Sequence, residues 1–302
     1  MRKLTLLMVT LLVSAGLVVG QNTSEVLTEG DNNTNSVTQT GSNTAYIDQL
    51  ANSSSATQIQ DGSGNDARIT QDGKWPEGPV VSETAYQNQS GMNHEARIKQ
   101  QTDSGHGNSS ASQTQSGDGG HYAKAWQFSW NSSIIQTQSG DGTQNWVEAH
   151  QKGNHNSITQ TQDGVGNVAA VDEQNGWGGP LTGSSITQIQ IGKYNHTLVG
   201  QYGGHSNDVM VEQYGWDNWA GEGLAGGGLY GVYQSGSENT ANITQNDNVN
   251  KSELLQDGIG NTATVTQNGG SGWFNDYGDY VNKSNIDQTG DGNTSTVTQT
   301  YQ

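Results

Sequence analysis

The chain has no cysteine, only two phenylalanines, four methionines and three prolines among its 302 residues. Without cysteine there are no disulfides and no thiolate metal sites, which suits an extracellular protein held by hydrogen bonds. Hydrophobic residues make up 29% of the chain, and mean hydropathy is -0.76. Such a composition cannot fill a conventional core. Ordinary disorder fits no better, because disordered chains are rich in charge and proline, and here charged residues are 13%. Positive charge is also scarce, with 11 Lys and Arg against 29 Asp and Glu and a formal charge of -18. That balance excludes a grip on nucleic acid through its phosphates and a charge-driven membrane role. It keeps unassembled chains apart in solution.

Long apolar runs are missing after the first twenty residues, so no later segment could span a bilayer. Residues 1–20 read as a secretory signal. Arg2 and Lys3 start it, residues 4–13 form the apolar run, and Val18 and Gly20 are small enough for cleavage before Gln21. As a single membrane anchor the run is short. Cleavage would leave a net charge of about -20.

What the chain does have is Asn, Gln, Ser, Thr and Gly in a recurring phrase. About twenty windows of seven residues read Asn/Ser-x-small-x-aliphatic-x-Gln, often 11 residues apart. Examples start at Asn43, Asn65, Asn239 and Asn261. Alternate residues of a strand share a face, so positions one, three, five and seven point one way. A second flavour starts with Ser or Asn and often carries two Gln, as from Ser184 to Gln190. The flavours mostly alternate. Between them lies Asp-Gly-x-Gly, a tight arch using the positive φ of Gly62 and Gly64, Gly164 and Gly166, and Gly258 and Gly260.

The fold class expected is all-β, a parallel β-solenoid of about 11 two-strand rungs, near 50 Å long. Ala, Ile and Val pack inside. Gln and Asn form side-chain ladders between rungs, satisfying groups whose unpaired burial costs several kcal/mol. The ladder residues expected are Gln39, Gln49, Gln60, Gln71, Gln89, Gln100, Gln115, Gln127, Gln138, Gln151, Gln162, Gln190, Gln201, Gln213, Gln234, Gln245, Gln256, Gln267, Gln288 and Gln299. With them stand Asn43, Asn65, Asn145, Asn167, Asn195, Asn239, Asn261 and Asn293. Insertions at about 74–82, 174–183, 214–227 and 268–281 interrupt the repeat. They carry Trp75, Trp177, Trp216, Trp219 and Trp273, which serve either surface binding or as lids. A window near 228 leaves the strand phase over 207–239 open.

These windows resemble curlin repeats. Ser54, Gln60, Gly62, Asn65, Ala67 and Gln71 fall in the order and spacing of that family's rung, as do Ser184, Gln190, Gly192, Asn195 and Gln201, with Thr197 at the Ala position. The resemblance covers nearly the whole of residues 21–302. It implies a subunit of curli-like functional amyloid, an extracellular fibre at the bacterial surface supporting adhesion and biofilm. Implied partners are other copies of the chain, a curlin-type nucleator, and a curli secretion pore with accessory chaperones. Glu173 and Thr28 replace Gln, and His94 and His121 replace Asn. The insertions, and repeats that begin almost at the cleavage site, also depart from the family's pattern.

No cofactor and no enzymatic activity are expected. Each Asp-Gly turn offers few carboxylates for calcium, which takes 6–8 oxygens. The histidines share no metal-ligand spacing, and no nucleophile or phosphate-loop motif appears. The competing reading is a monomeric solenoid that binds ice or carbohydrate through Thr ladders or insertion Trp residues. Thr262, Thr264 and Thr266, then Thr294, Thr296 and Thr298, alternate on the outward face. Outward Arg68, Lys99, Lys124, Asp208 and Glu212 argue against one flat array. The final window, 293–299, has no obvious cap and is expected to be an open growth face.

Overall fold

A computed structural model describes residues 21–72, 82–101, 107–142, 144–174, 182–220, 231–269 and 282–301. The signal expected at 1–20 lies outside them. The described residues form 21 strands and no helix, with parallel pairing throughout. Among the described residues no helix is long and apolar enough to cross a membrane.

The chain is a parallel β-solenoid with two walls. Windows alternate strictly between them. The odd wall takes those starting at Asn22, Asn43, Asn65, His94, His121, Asn145, Asn167, Asn195, Asn218, Asn250 and Asn282. The even wall takes those starting at Asn33, Ser54, Glu83, Ser109, Ser132, Asn156, Ser184, Asn207, Asn239, Asn261 and Asn293. Each wall therefore holds eleven windows. Strands Thr34–Gln49 and Ser55–Asp72 run through an arch from one wall into the other. Period-two patterning gives each strand an alternating buried and open face.

The core is a thin seam of Ala, Ile and Val from both walls, among them Ile47, Ile69, Ile98, Ile134, Ile158, Ile186, Val209 and Ile243. Val26, Val37 and Val297 are only partly covered against it. The first two belong to the first rung and the third to the last.

Strict alternation is preserved where the sequence left the phase open. Of the insertion expected at 214–227, residues 214–216 and 219–220 are strand, and the part from 221 on lies outside the described residues. Asp208–Trp216 is one continuous even-wall strand. The next odd-wall window starts at Asn218, not near 228. Trp219 and Ala220 pair with His196 and Thr197 on one side and Lys251 and Ser252 on the other. Residues 221–230 lie outside the described residues, and Val232–Ser237 takes the same strand position, beside Val199 and Leu254. Gly231 N–H donates to Leu198 O at 3.2 Å and Gly231 O accepts from Leu254 N–H at 2.8 Å, so the rung closes at once. Both flanks keep the register of the neighbouring rungs.

The arches change edge along the stack. Gly41, Gly62, Gly91, Gly117, Gly140, Gly164, Gly192 and Gly215 line the edge leading into the odd wall, each approached by the carbonyl of the next rung. A second column, Gly204, Gly236, Gly258 and Gly290, lines the edge leading into the even wall. The Asn-x-Ala flavour moves with it, from Asn43 and Asn65 on the odd wall to Asn239 and Asn261 on the even wall.

The two Gly of an arch do different things. A Cβ on Gly258, with φ +132°, would stand 2.2 Å from Gly290 O. Gly260, with φ +68°, has nothing within 4 Å of that position. Gly258→Ala should therefore destabilise by at least about 2 kcal/mol, because the stack must open. Gly260→Asn should stay within about 1 kcal/mol, since Asn tolerates the left-handed region. Urea unfolding of the soluble monomer compares the two.

Candidate functional site

The repeated feature is the interior ladder. In the even wall Gln39, Gln60, Gln89, Gln115, Gln138, Gln162, Gln190, Gln213, Gln245, Gln267 and Gln299 form one unbroken run. Each Nε2 donates to the Oε1 of the next rung at 2.7–3.0 Å. The odd wall repeats this from Gln49 through Gln71, Gln100 and Gln127 to Gln151, and again from Gln201 through Gln234 and Gln256 to Gln288, at 2.7–2.9 Å. Glu173, in register with Gln201, separates the two runs. The second amide proton typically reaches a backbone carbonyl of the opposite wall, as from Gln60 to Thr44 O at 2.9 Å.

A further ladder was not anticipated. Gln58, Gln87, Gln113, Gln136, Gln160 and Gln188 occupy position five of the two-Gln windows and bond in series at 2.8–2.9 Å. The signal was present, since Gln at positions five and seven of one strand must share a face.

Position one carries a different ladder, from side chain to backbone. Asn43, Asn65, Asn145, Asn167 and Asn195 on the odd wall, and Asn239 and Asn261 on the even wall, each present Oδ1 to the backbone N–H that opens the next window. Asn293 N–H closes the even-wall series on Asn261 Oδ1 at 2.9 Å. The amide nitrogen pins the arches, as where Asn65 Nδ2 donates to Asp61 O and to Gly91 O of the next rung. Ser132 and Ser184 fill the position with a hydroxyl acceptor.

His94 and His121 substitute for Asn in function as well as place. His94 Nδ1 accepts from His121 N–H at 3.1 Å, and His121 Nδ1 accepts from Asn145 N–H at 3.2 Å. The neutral rings thus carry their proton on Nε2, which donates to Ser90 O and to Gly140 O. The rings are buried and stacked, with centroids 5.0 Å apart. Burial pushes both imidazoles below the ordinary value of 6.5, and His94 adds repulsion at His121. Their backbone acceptors and Asp118 or Asp141 oppose that in part.

The arch glycines Gly62, Gly64, Gly164, Gly166, Gly258 and Gly260 all have positive φ. Asp side chains bond the arch backbone, as from Ile259 N–H to Asp291 Oδ1 at 2.9 Å. Among the described residues no three His, Asp or Glu converge on a common point. Trp75, Trp177 and Trp273 lie outside the described residues. Trp216 ends an even-wall strand, exposed, under Lys193 Nζ at 5.2 Å. Trp219 stacks on His196 on the odd wall at 4.6 Å.

The two outward faces differ in chemistry. Arg68, Lys99 and Lys124 all belong to the odd wall, beside Tyr46, Tyr122, Trp126 and Trp146. Glu148 lies there between His150 at 2.9 Å and Lys124 at 2.6 Å, which lower its carboxyl to about 2 against partial burial. The even wall is mostly hydroxyl. Its second positions are Thr34, Ser55, Thr84, Ser110, Ser133, Ser157 and Ser185, then Asp208, then Thr240, Thr262 and Thr294.

Two overlapping stretches, residues 204–246 and 236–269, match the family model described as the curlin associated repeat. They cover the split window at Asn218 and the rungs on either side of it, and they support assignment to the curlin-repeat family. No curated protein matches the chain.

Removing an interior Gln leaves a donor and an acceptor buried without partners. Gln138→Ala should cost about 3 kcal/mol or more in monomer stability, by denaturant titration. The acid dependence follows from the neutral histidines. Their folded values are lowered, so their contribution is complete above 6.5 and is lost as pH falls below it toward the folded values. Thermal midpoints should drop across that acid range, and His94→Asn with His121→Asn should flatten the drop.

Proposed function

We propose that the chain is a secreted structural subunit that assembles end to end into curli-like extracellular amyloid fibres serving adhesion and the biofilm matrix. The observation that carries this reading is the state of the two ends. Strands Thr23–Thr28, Asn282–Thr289 and Thr294–Thr300 pair on one side only among the described residues. Val26 and Val37 at one end, and Val297 at the other, are the partly covered members of the core. Open parallel edges over half-covered apolar side chains favour addition of another rung.

On this reading the first 20 residues direct export and are removed. A curli-type pore with accessory chaperones delivers the chain, and a curlin-type nucleator starts growth. The chain serves as a main or accessory fibre subunit, and its chemistry is structural rather than catalytic.

A second reading is favoured by the even wall. Thr262, Thr264 and Thr266 stand in register beside Thr294, Thr296 and Thr298, with Thr240 and Thr244 on the next rung. The charges that argued against a flat array lie mainly on the other wall. A monomeric solenoid presenting this face could bind ice or carbohydrate.

Secreted protein concentrated to the high micromolar range should give unbranched fibres by electron microscopy, a thioflavin response, and cross-β reflections near about 4.8 Å. A protein that stays monomeric and dye-negative, with thermal hysteresis abolished by Thr264→Lys, would overturn the fibre reading in favour of the second.

A further inference from the structure

We infer that the joint between two copies of this chain is carried by one glutamine ladder, that of the even wall, because the odd wall presents Thr28 rather than a glutamine at its early end. The inference rests on the end-to-end reading above and says which residues make the contact.

At the late end, Gln299 is half-buried and accepts from Gln267 at 2.8 Å. One of its amide protons goes to Lys283 O at 2.8 Å. The other has no acceptor among the described residues. At the early end, Gln39 donates to Gln60 and to Thr23 O, and its Oε1 meets no donor among the described residues. The even wall thus ends in a spare donor at one end and a spare acceptor at the other. Both belong to the same position of the same wall. A second copy stacked in register would set Gln299 Nε2 against Gln39 Oε1, and Val297 against Val37.

The odd wall ends differently. Gln288 is buried, and its amide nitrogen reaches Thr262 O at 3.0 Å and Ser295 Oγ at 3.1 Å, the same pair of contacts that Gln245 makes to Trp219 O and Ser252 Oγ while still donating to Gln267. The position it would meet on the next copy is Thr28, which has no amide. Thr28 Oγ1 is engaged by Asn35 Nδ2 at 2.7 Å. The ladder behind it starts only at Gln49, whose Oε1 is buried without a donor. Backbone strands and the position-one asparagines, Asn282 facing Asn22 and Asn293 facing Asn33, can continue on both walls. The glutamine chain can continue on one. A joint with a single ladder has one register and one polarity, like the interface between the first two rungs, where Thr28 stands beside Gln49 and Gln39 bonds Gln60.

Elongation of wild-type seeds by full-length secreted variants tests this, with monomer folding checked by circular dichroism and denaturant titration. Gln299→Ala and Gln39→Ala should each raise the critical concentration about tenfold. Gln288→Ala should change it less than about twofold despite lowering monomer stability. The double variant Thr28→Gln with Ser295→Ala supplies the missing amide and removes a competing hydroxyl, and should lower the critical concentration about tenfold. Equal effects of Gln288→Ala and Gln299→Ala, or a folded double variant with unchanged critical concentration, would overturn the single-ladder joint and leave fibre formation standing. A wild type that forms no fibres would remove the end-to-end reading and this inference together.

Discussion

The whole structure depends on the hydrogen bond from one buried side-chain amide to the same amide one rung away. A primary amide has two donors on one nitrogen and an oxygen that can accept. Along the even wall one donor and the oxygen serve the ladder, and at most rungs the other donor ties the ladder to backbone, as from Gln60 to Thr44 O. Side chains that would be a penalty in an oil-like core become its mortar. A chain with 29% hydrophobic residues can therefore have an interior at all. The ladder also explains the rigidity of the plan. Rungs must hold one spacing, so arches must let successive carbonyls approach closely, and glycine occupies the point of closest approach.

The position-one ladder explains which exceptions the interior tolerates. The requirement is an acceptor aimed at the next backbone N–H and, where possible, a donor for the arch. Asn meets both, Ser the first, and neutral His both through its two ring nitrogens. His94 and His121 look like departures in the sequence. Within the stack they are chemical equivalents, provided the imidazole stays unprotonated.

Much of this was legible from period-two patterning, because strand alternation ties sequence position to face without reference to distant contacts. Parallel stacking, two walls and the seven-residue unit all follow from it. Three things did not. The split window at Asn218 was hidden because its first half, ending at Ala220, and its second, starting at Val232, are far apart in sequence and are recognised as one strand position only by their pairing with the same neighbouring rungs. The position-five glutamines were visible as residues, but their run along one wall needed the wall assignment. The sorting of Arg68, Lys99 and Lys124 from the threonine face needed it too, because the motif flavour changes wall partway along the stack. The residues around Trp75, Trp177 and Trp273 lie outside the described structure.

Strict alternation between walls has a consequence of parity. Inward positions are nearly interchangeable between the walls, as the migration of the Asn-x-Ala flavour demonstrates, so the interior would accept the loss or gain of a single window. The exterior would not. One window more or fewer would send every later hydroxyl strip to the charged, aromatic side and the reverse, scrambling both surfaces from that point onward. The conserved quantity of this architecture is therefore the pair. A solenoid of this kind can lengthen or shorten only by even steps if its two faces are to remain two different materials.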